Sequence, residues 1–394
     1  MSQSDLIHLF DTEINRREVP TLKTHPMVVG EDGEDLFAAG VADMDFMAPP
    51  AVLDAMRERL AHGVFGYEAT PAGLLPAVTG WLERRHSWQV PENHILTSPN
   101  ILTALAMAAS LFCDEGDAVI VQPPVFFDFF DVLNENHRRI INNPLVYENG
   151  RYRMDYEHLE SLAADPGTKM IYLCNPHNPV ARVWSETELR KLADICLRNS
   201  VLVVSDEMHA DLVYPGHRYT PFASLGDEHA ANCITCISPA KTFNIASCCA
   251  SFTLIADDAI REAFRVENSR LSVNKNNPFA NVAMLAAYTS GEAWLEAAIA
   301  YLQANVELVR NKLRDIPGVE LVEPEGSFLL WIDFNGLGLK RDDLDAFLRK
   351  RVKWAITRGH SFGREGEGFA RVNIACTRAK LEAALTDLEN AVRA

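Results

Sequence analysis

A lysine and an aspartate, each placed just after a short apolar run, are the residues of this chain best suited to chemistry. Val201-Leu202-Val203-Val204 leads into Ser205-Asp206-Glu207-Met208-His209. The next such run, Cys233 to Ile237, leads into Ser238-Pro239-Ala240-Lys241-Thr242-Phe243-Asn244. If both runs are neighbouring buried strands, a carboxylate and an amine arrive at one edge of a sheet. That suits pyridoxal phosphate, whose aldehyde is taken by a lysine amine and whose pyridinium nitrogen pairs with an acidic residue. Each residue alone has an ordinary explanation, since a lysine near a turn is commonly a solvated amine and an aspartate after a strand commonly caps a helix.

Ligands of open parallel sheets sit beyond the carboxyl ends of the strands, so the other run ends belong to the same cleft. After Ala118–Val121 comes Gln122-Pro123-Pro124-Val125-Phe126, and after Met170–Leu173 comes Asn175-Pro176-His177-Asn178-Pro179. Phe126 offers a face for a pyridine ring, although core packing explains it equally well. Asn178 offers an amide to the ring oxygen, or is simply a turn residue. The turn Thr97-Ser98-Pro99-Asn100-Ile101-Leu102 precedes an apolar helix, Leu102 to Phe112, and presents either a plain cap or N–H groups for a phosphate. Ser238 can add a hydroxyl to the same anion. No His-Glu-x-x-His, Gly-x-Ser-x-Gly, Walker-type loop or Gly-x-Gly-x-x-Gly competes with this set, and no metal site is expected.

The elements that must hold these residues read as α/β. Short apolar runs from about residue 95 to 280 alternate with amphipathic stretches such as Ser185–Arg198, where Ser185 and Glu188 form a capping box. This predicts a large domain with a mostly parallel sheet flanked by helices. Long helical patterns at 280–289 and 292–314, then strand-like runs at 318–322, 328–334 and 370–374, predict a smaller α+β unit. The expected division is a large domain over 46–285 and a small one over 286–394, joined by the segment 1–45.

The formal net charge of −17 argues against nucleic-acid binding, which relies on clustered basic residues. The polar start, Met1 to Asp5, and the lack of a long apolar run predict a cytoplasmic protein without a membrane segment. The cysteines, including Cys233, Cys236, Cys248 and Cys249, are expected to pack as small hydrophobes.

Taken together, several motifs resemble fold type I pyridoxal-phosphate enzymes, the aspartate-aminotransferase superfamily, and within it the MalY/PatB branch of cystathionine β-lyases and related C–S lyases. They are Val41-Ala42-Asp43-Met44-Asp45-Phe46, His62 to Tyr67, Leu173 to Pro179, Ser205 to His209, Lys241-Thr242-Phe243-Asn244, Phe362-Gly363 with Gly366 to Phe369, and Arg371-Val372-Asn373. The resemblance implies that Arg371 clamps a substrate α-carboxylate and that Asp43 also binds the substrate. It implies that Tyr67 reaches the phosphate of a neighbouring subunit in a homodimer, and that His209 stands near the ring hydroxyl. The implied reaction is β-elimination from a sulfur-containing amino acid, giving thiol, pyruvate and ammonia, with Lys241 as the base. Transamination, an elimination or cyclisation on a modified amino acid, and a binding module of little turnover remain alternatives. Phe126 departs from the usual tyrosine, while Ala181, Ser247, Ala375 and Asn100 replace glycines and are expected to crowd backbone positions that need permissive dihedrals.

Overall fold

The computed structural model describes residues 3–31, 33–275 and 277–394, so the opening Met1-Ser2 lies outside the described residues. Its central sheet has seven strands: β1 (Ile95–Ser98), β2 (Ala118–Val121), β3 (Arg139–Asn142), β4 (Thr168–Cys174), β5 (Leu202–Asp206), β6 (Cys233–Ile237) and β7 (Ser251–Ile255). They run in the spatial order β1-β7-β6-β5-β4-β2-β3. Strands β2 to β6 pair in parallel, while β7 runs antiparallel to both its neighbours, β1 and β6.

The strands are almost uniformly apolar because both faces of the sheet are covered. Val119, Val121, Met170, Tyr172 and Val204 pack beneath helix α1 (Ile101–Phe112) and helix α2 (Asp128–Glu135). Ile120, Ile171, Leu173 and Val203 face the opposite way, against Leu189 and Leu192 of helix α3 (Glu186–Arg198). The capping box expected at α3 is present, with Ser185 Oγ accepting from Glu188 N at 3.3 Å and Glu188 Oε2 accepting from Ser185 N at 2.9 Å.

Beyond helices α4 (Pro278–Ser290) and α5 (Glu292–Leu313), a second sheet is formed by β8 (Glu320–Leu321), β9 (Leu329–Asp333), β10 (Thr357–Arg358) and β11 (Phe369–Asn373). Its order is β8-β9-β11-β10, all antiparallel. The early segment joins this unit, since Phe37–Ala38 pairs in parallel with Trp354–Ala355 and Asn373 N donates to Ala39 O at 2.9 Å.

The two sheets are tied directly together. Ser327 N donates to Leu212 O at 2.6 Å, Tyr214 N donates to Glu325 O at 3.0 Å, and the buried Arg182 pairs with Glu325 at 3.0 Å. At that crossing Gly326 leaves no room for a side chain, because a Cβ would lie 2.5 Å from the Leu212 carbonyl oxygen. Among the described residues no helix is long and apolar enough to cross a membrane.

Cys233 and Cys236 are buried in β6, but the vicinal pair behaves differently from the expected core packing. Cys248 is half-buried and Cys249 is exposed. Cys249 ends a tight turn at φ 50°, a left-handed conformation that carries its side chain away from the core.

Candidate active site

The antiparallel β7 completes the carboxyl edge of the sheet. Because Ser251 pairs with Ser98 and Phe252 with Ile237, the chain entering β7 crosses the edge at which β1 and β6 end. A cavity of about 240 Å³ opens there. The ends of β5 and β6 supply Asp206, His209, Ser238 and Lys241 to its wall, the start of α1 supplies Asn100, Ile101 and Leu102, and the loops after β2 and β4 supply Phe126 and Asn178. A wider chamber of about 640 Å³ shares Phe126 and Lys241 with it and extends to Arg371 and Thr357.

Lys241 sits in a one-turn helix, Pro239–Thr242, started by Ser238, whose Oγ accepts from Ala240 N at 3.1 Å and donates to Ala250 O at 2.6 Å. Its Nζ donates to the carbonyl of Ala42. Burial pulls the amine's pKa down, against a smaller opposing pull from the Asp43 charge. The next three residues fix this turn. Thr242 Oγ1 donates to Asp211 at 2.9 Å, Phe243 packs edge-on against Trp81, and Asn244 holds Met44 N, Met44 O and Phe46 O. Asn244 therefore ties the segment around Ala42 across the lysine.

Asp206 is the last residue of β5, with one oxygen accepting from Met208 N at 3.0 Å. Burial pushes its pKa up to about 6, with Met208 N–H and Lys241 opposing the rise more weakly. Burial likewise drives His209 down to about 3, so its imidazole is neutral, with Nδ1 3.3 Å from Ser327 Oγ. Beneath Asp206, the buried Glu207 accepts from Ser205 Oγ at 2.8 Å and from Phe222 N at 2.9 Å, which anchors the turn after β5.

A raised carboxyl pKa has a direct thermodynamic consequence. Below about pH 4 Asp206 is protonated whether the chain is folded or not, and no penalty arises; above its folded pKa of about 6 it must ionise in a buried place. Apoprotein stability therefore falls as pH rises through this window. Asp206→Asn, which keeps the acceptor for Met208 N, is expected to stabilise the apoprotein by about 3 kcal/mol at pH 8, with most of the gain gone by pH 4.5. Urea unfolding at the two pH values measures this, and a pH-independent difference between the proteins contradicts the burial of a titrating carboxyl.

Arg371, on β11, reaches across from the small sheet. Its Nη1 donates to Asn178 Oδ1 at 3.0 Å, and its Nη2 donates to Gly40 O at 2.9 Å and Thr357 Oγ1 at 3.3 Å. The guanidinium lies 4.9 Å from the centroid of the Phe362 ring, and Nε has no partner. Burial lowers its pKa to about 9, and it makes no salt bridge among the described residues. A buried cation without a bound carboxylate is a ready receptor for one. At the opposite end Asn100 caps α1 by accepting from Thr103 N at 2.8 Å, which leaves the amides of the first turn facing the cavity, as an anion requires.

These residues fit pyridoxal phosphate. They supply a buried carboxyl, an amine of lowered pKa, an aromatic face at Phe126, an amide at Asn178 and a helix N-terminus for a phosphate. Two expected residues are not brought into the cavity. The Asp43 carboxylate is turned away, held by Arg16 at 2.6 Å, and acts on Lys241 only through its charge. Tyr67 is fully exposed beside Arg59 and Glu68, on a different part of the surface. Residues without an expected role also line the site, Ala42, Asp128 and Cys249 among them. Of the replaced glycines, Ala181 does adopt a positive φ of 55°, whereas Asn100 is extended at φ −161° and Ser247 and Ala375 show no positive φ, so the expected crowding is confined to Ala181.

Residues 35–388 match the family described as aminotransferase class I and II. The chain is 42% identical to cystathionine beta-lyase PatB of Bacillus subtilis (strain 168) over 359 residues, covering 91% of this chain and 93% of the relative. Its fold superposes on cystalysin from Treponema denticola, which contains a pyridoxal 5'-phosphate cofactor, with a TM-score of 0.94 and 31% identity over 98% of both chains. It also superposes on the PLP-bound C-S lyase from Staphylococcus hominis, with a TM-score of 0.90 and 30% identity over 97% of both chains. A match of this extent over both sheets and every strand end at the cavity shows that the chain belongs to the aminotransferase class I and II family.

Proposed function

We propose that the protein is a pyridoxal-phosphate-dependent carbon–sulfur lyase that cleaves the Cβ–S bond of a cystathionine- or cysteine-conjugate-type amino acid. The observation that carries this reading is the convergence of Lys241, Asp206 and Arg371 on one pair of cavities, in a chain so similar to a cystathionine beta-lyase. The overall reaction takes the amino acid and water to a thiol, pyruvate and ammonia.

When bound, the cofactor supplies an electron sink that stabilises negative charge at the substrate Cα. Lys241 would hold its aldehyde, and its amine would serve as the base for the Cα proton; burial lowers the amine's pKa and so raises the fraction that can accept a proton. Asp206 would pair with the ring nitrogen, Asn178 and His209 would lie at the ring oxygen, and Phe126 would cover a ring face. The first turn of α1, from Asn100 to Leu102, with Ser238, would receive the phosphate. Arg371 holds the α-carboxylate, and Asp43 acts from behind by keeping Lys241 basic. We place residues 46–285 in the cofactor-binding domain, with 286–394 and the first 45 residues forming the smaller one. The unpaired state of all eight cysteines suits a cytoplasmic enzyme.

The test is a product assay with cystathionine, with and without a keto acid. Pyruvate and ammonia are expected in equal amounts without any acceptor. Amino-group exchange between an amino donor and a keto acid, with no acceptor-independent pyruvate from a panel of Cβ–S substrates, would replace this reading by an aminotransferase.

The site is further proposed to be shared across a homodimer, with Tyr67 of one subunit serving the phosphate of the other. Leu60, Val64, Phe65 and Tyr67 form an exposed apolar stretch that suits such a contact. Tyr67→Phe is expected to weaken cofactor retention about tenfold, the scale of one hydrogen bond to a charged group. Dialysis against cofactor-free buffer reads this, and a fully active monomer in sedimentation refutes the shared site.

A further inference from the structure

Asp128 opens helix α2 directly after Phe126 and Phe127, and it lines both the inner cavity and the outer chamber. Its carboxylate has no hydrogen-bond or ion-pair partner among the described residues. Half-burial is the main influence on it and raises its pKa; Asp131 adds to this, and the charges of Arg371 and Lys241 oppose it. The neighbouring cations are otherwise engaged. Arg371 is committed to the α-carboxylate, Lys241 to the proton transfer, Arg358 pairs with Asp345 at 3.3 Å, and Arg349 donates to Val29 O at 2.7 Å.

The outer chamber, where the group beyond sulfur must lie if this site is a C–S lyase centre, therefore presents one unpaired carboxylate beside two phenyl rings. A distal anion there meets a negative charge that no salt bridge takes up, once Arg371 and Lys241 are engaged by the substrate. A distal cation gains a charge-assisted hydrogen bond, and so attraction and repulsion act in the same direction.

We propose, on the lyase reading of this site, that Asp128 is a specificity-determining residue that selects Cβ–S substrates whose sulfur-borne group carries a cationic nitrogen. The partner is thus an amino acid with a second positive centre, an ammonium or an imidazolium, on the leaving-group side.

The test uses the holoenzyme and three substrates of similar size, S-aminoethyl-, S-propyl- and S-carboxymethyl-L-cysteine. The wild type is expected to favour the aminoethyl over the propyl compound in kcat/KM by about tenfold or more, mainly through KM, with the carboxymethyl compound poorest. Asp128→Asn, nearly isosteric, should bring the aminoethyl-to-propyl ratio to about one. In parallel, calorimetric binding of the same compounds to Lys241→Ala protein, which cannot turn them over, should show the same preference and its loss when Asp128→Asn is added. If Asp128→Asn lowers all three substrates equally, Asp128 only balances the charge of Arg371 and the inference is overturned. If the wild type turns over none of them, the lyase reading fails, and the binding comparison still decides Asp128: a cation preference that vanishes in the variant upholds it, and equal affinities overturn it.

Discussion

Lys241→Ala is expected to lower kcat by about 10⁴-fold, leaving the fold and much of the cofactor affinity in place. The size follows from the two tasks placed on one amine, holding the aldehyde and moving the Cα proton. Among the described residues no other lysine lines the inner cavity. The fold should survive because the turn is anchored by Ser238, Thr242 and Asn244 rather than by the amine, whose protein hydrogen bond is to the Ala42 carbonyl. The measurements are steady-state rates and borohydride reduction of the wild-type holoenzyme followed by peptide mapping. Label recovered on any other lysine overturns the site assignment, and so does a variant that keeps more than a few per cent of the rate.

The strand ends explain why so much of this site was legible before the structure. In a parallel sheet covered on both faces, each strand is a continuous apolar run, and the polar residues that follow it are forced to one edge. Phe126, Asn178, Asp206 and Lys241 could therefore be gathered from four separate runs by one rule. The rule fails for β7, which has the same apolar composition but runs backwards, and so its entry rather than its exit borders the cavity. Cys249 was misplaced for that reason and because a left-handed φ at a cysteine leaves no mark in composition. Asp128 was passed over since an aspartate opening a helix already has a sufficient local reason to be there. Only the geometry shows that it faces both cavities unpaired.

Arg371 was legible by resemblance alone, because nothing in the run from Phe369 to Asn373 distinguishes its arginine from a surface one. Its setting comes from contacts far apart in sequence: Gly40 on the early segment, Thr357 on the adjacent strand and Asn178 on the large unit. Asp43 shows the converse. It neighbours the residue that touches Lys241, yet Arg16 claims its carboxylate, a pairing that no local pattern announces.

Those same contacts define what Arg371 substitution should do. The guanidinium is 2% exposed, donates to three neutral oxygens and has no protein carboxylate bound to it, so the substrate's α-carboxylate supplies the missing charge. Truncating one partner of a buried, hydrogen-bonded charge pair costs about 2–5 kcal/mol, so Arg371→Ala is expected to reduce kcat/KM by roughly 30-fold to 5,000-fold. Arg371→Lys should recover little, because an ammonium cannot reproduce the planar fork that spans Asn178 and Gly40. The carboxylate is bound both before and during the reaction, so most of the loss should appear in KM. A substrate lacking the carboxylate, an S-alkyl cysteamine, separates this role from a structural one. Wild type and Arg371→Ala should process it at similar, low efficiency, since the pair is already broken on the substrate side. If the variant loses as much against the carboxylate-free amine as against the amino acid, Arg371 acts on the scaffold through Asn178 and not on the substrate.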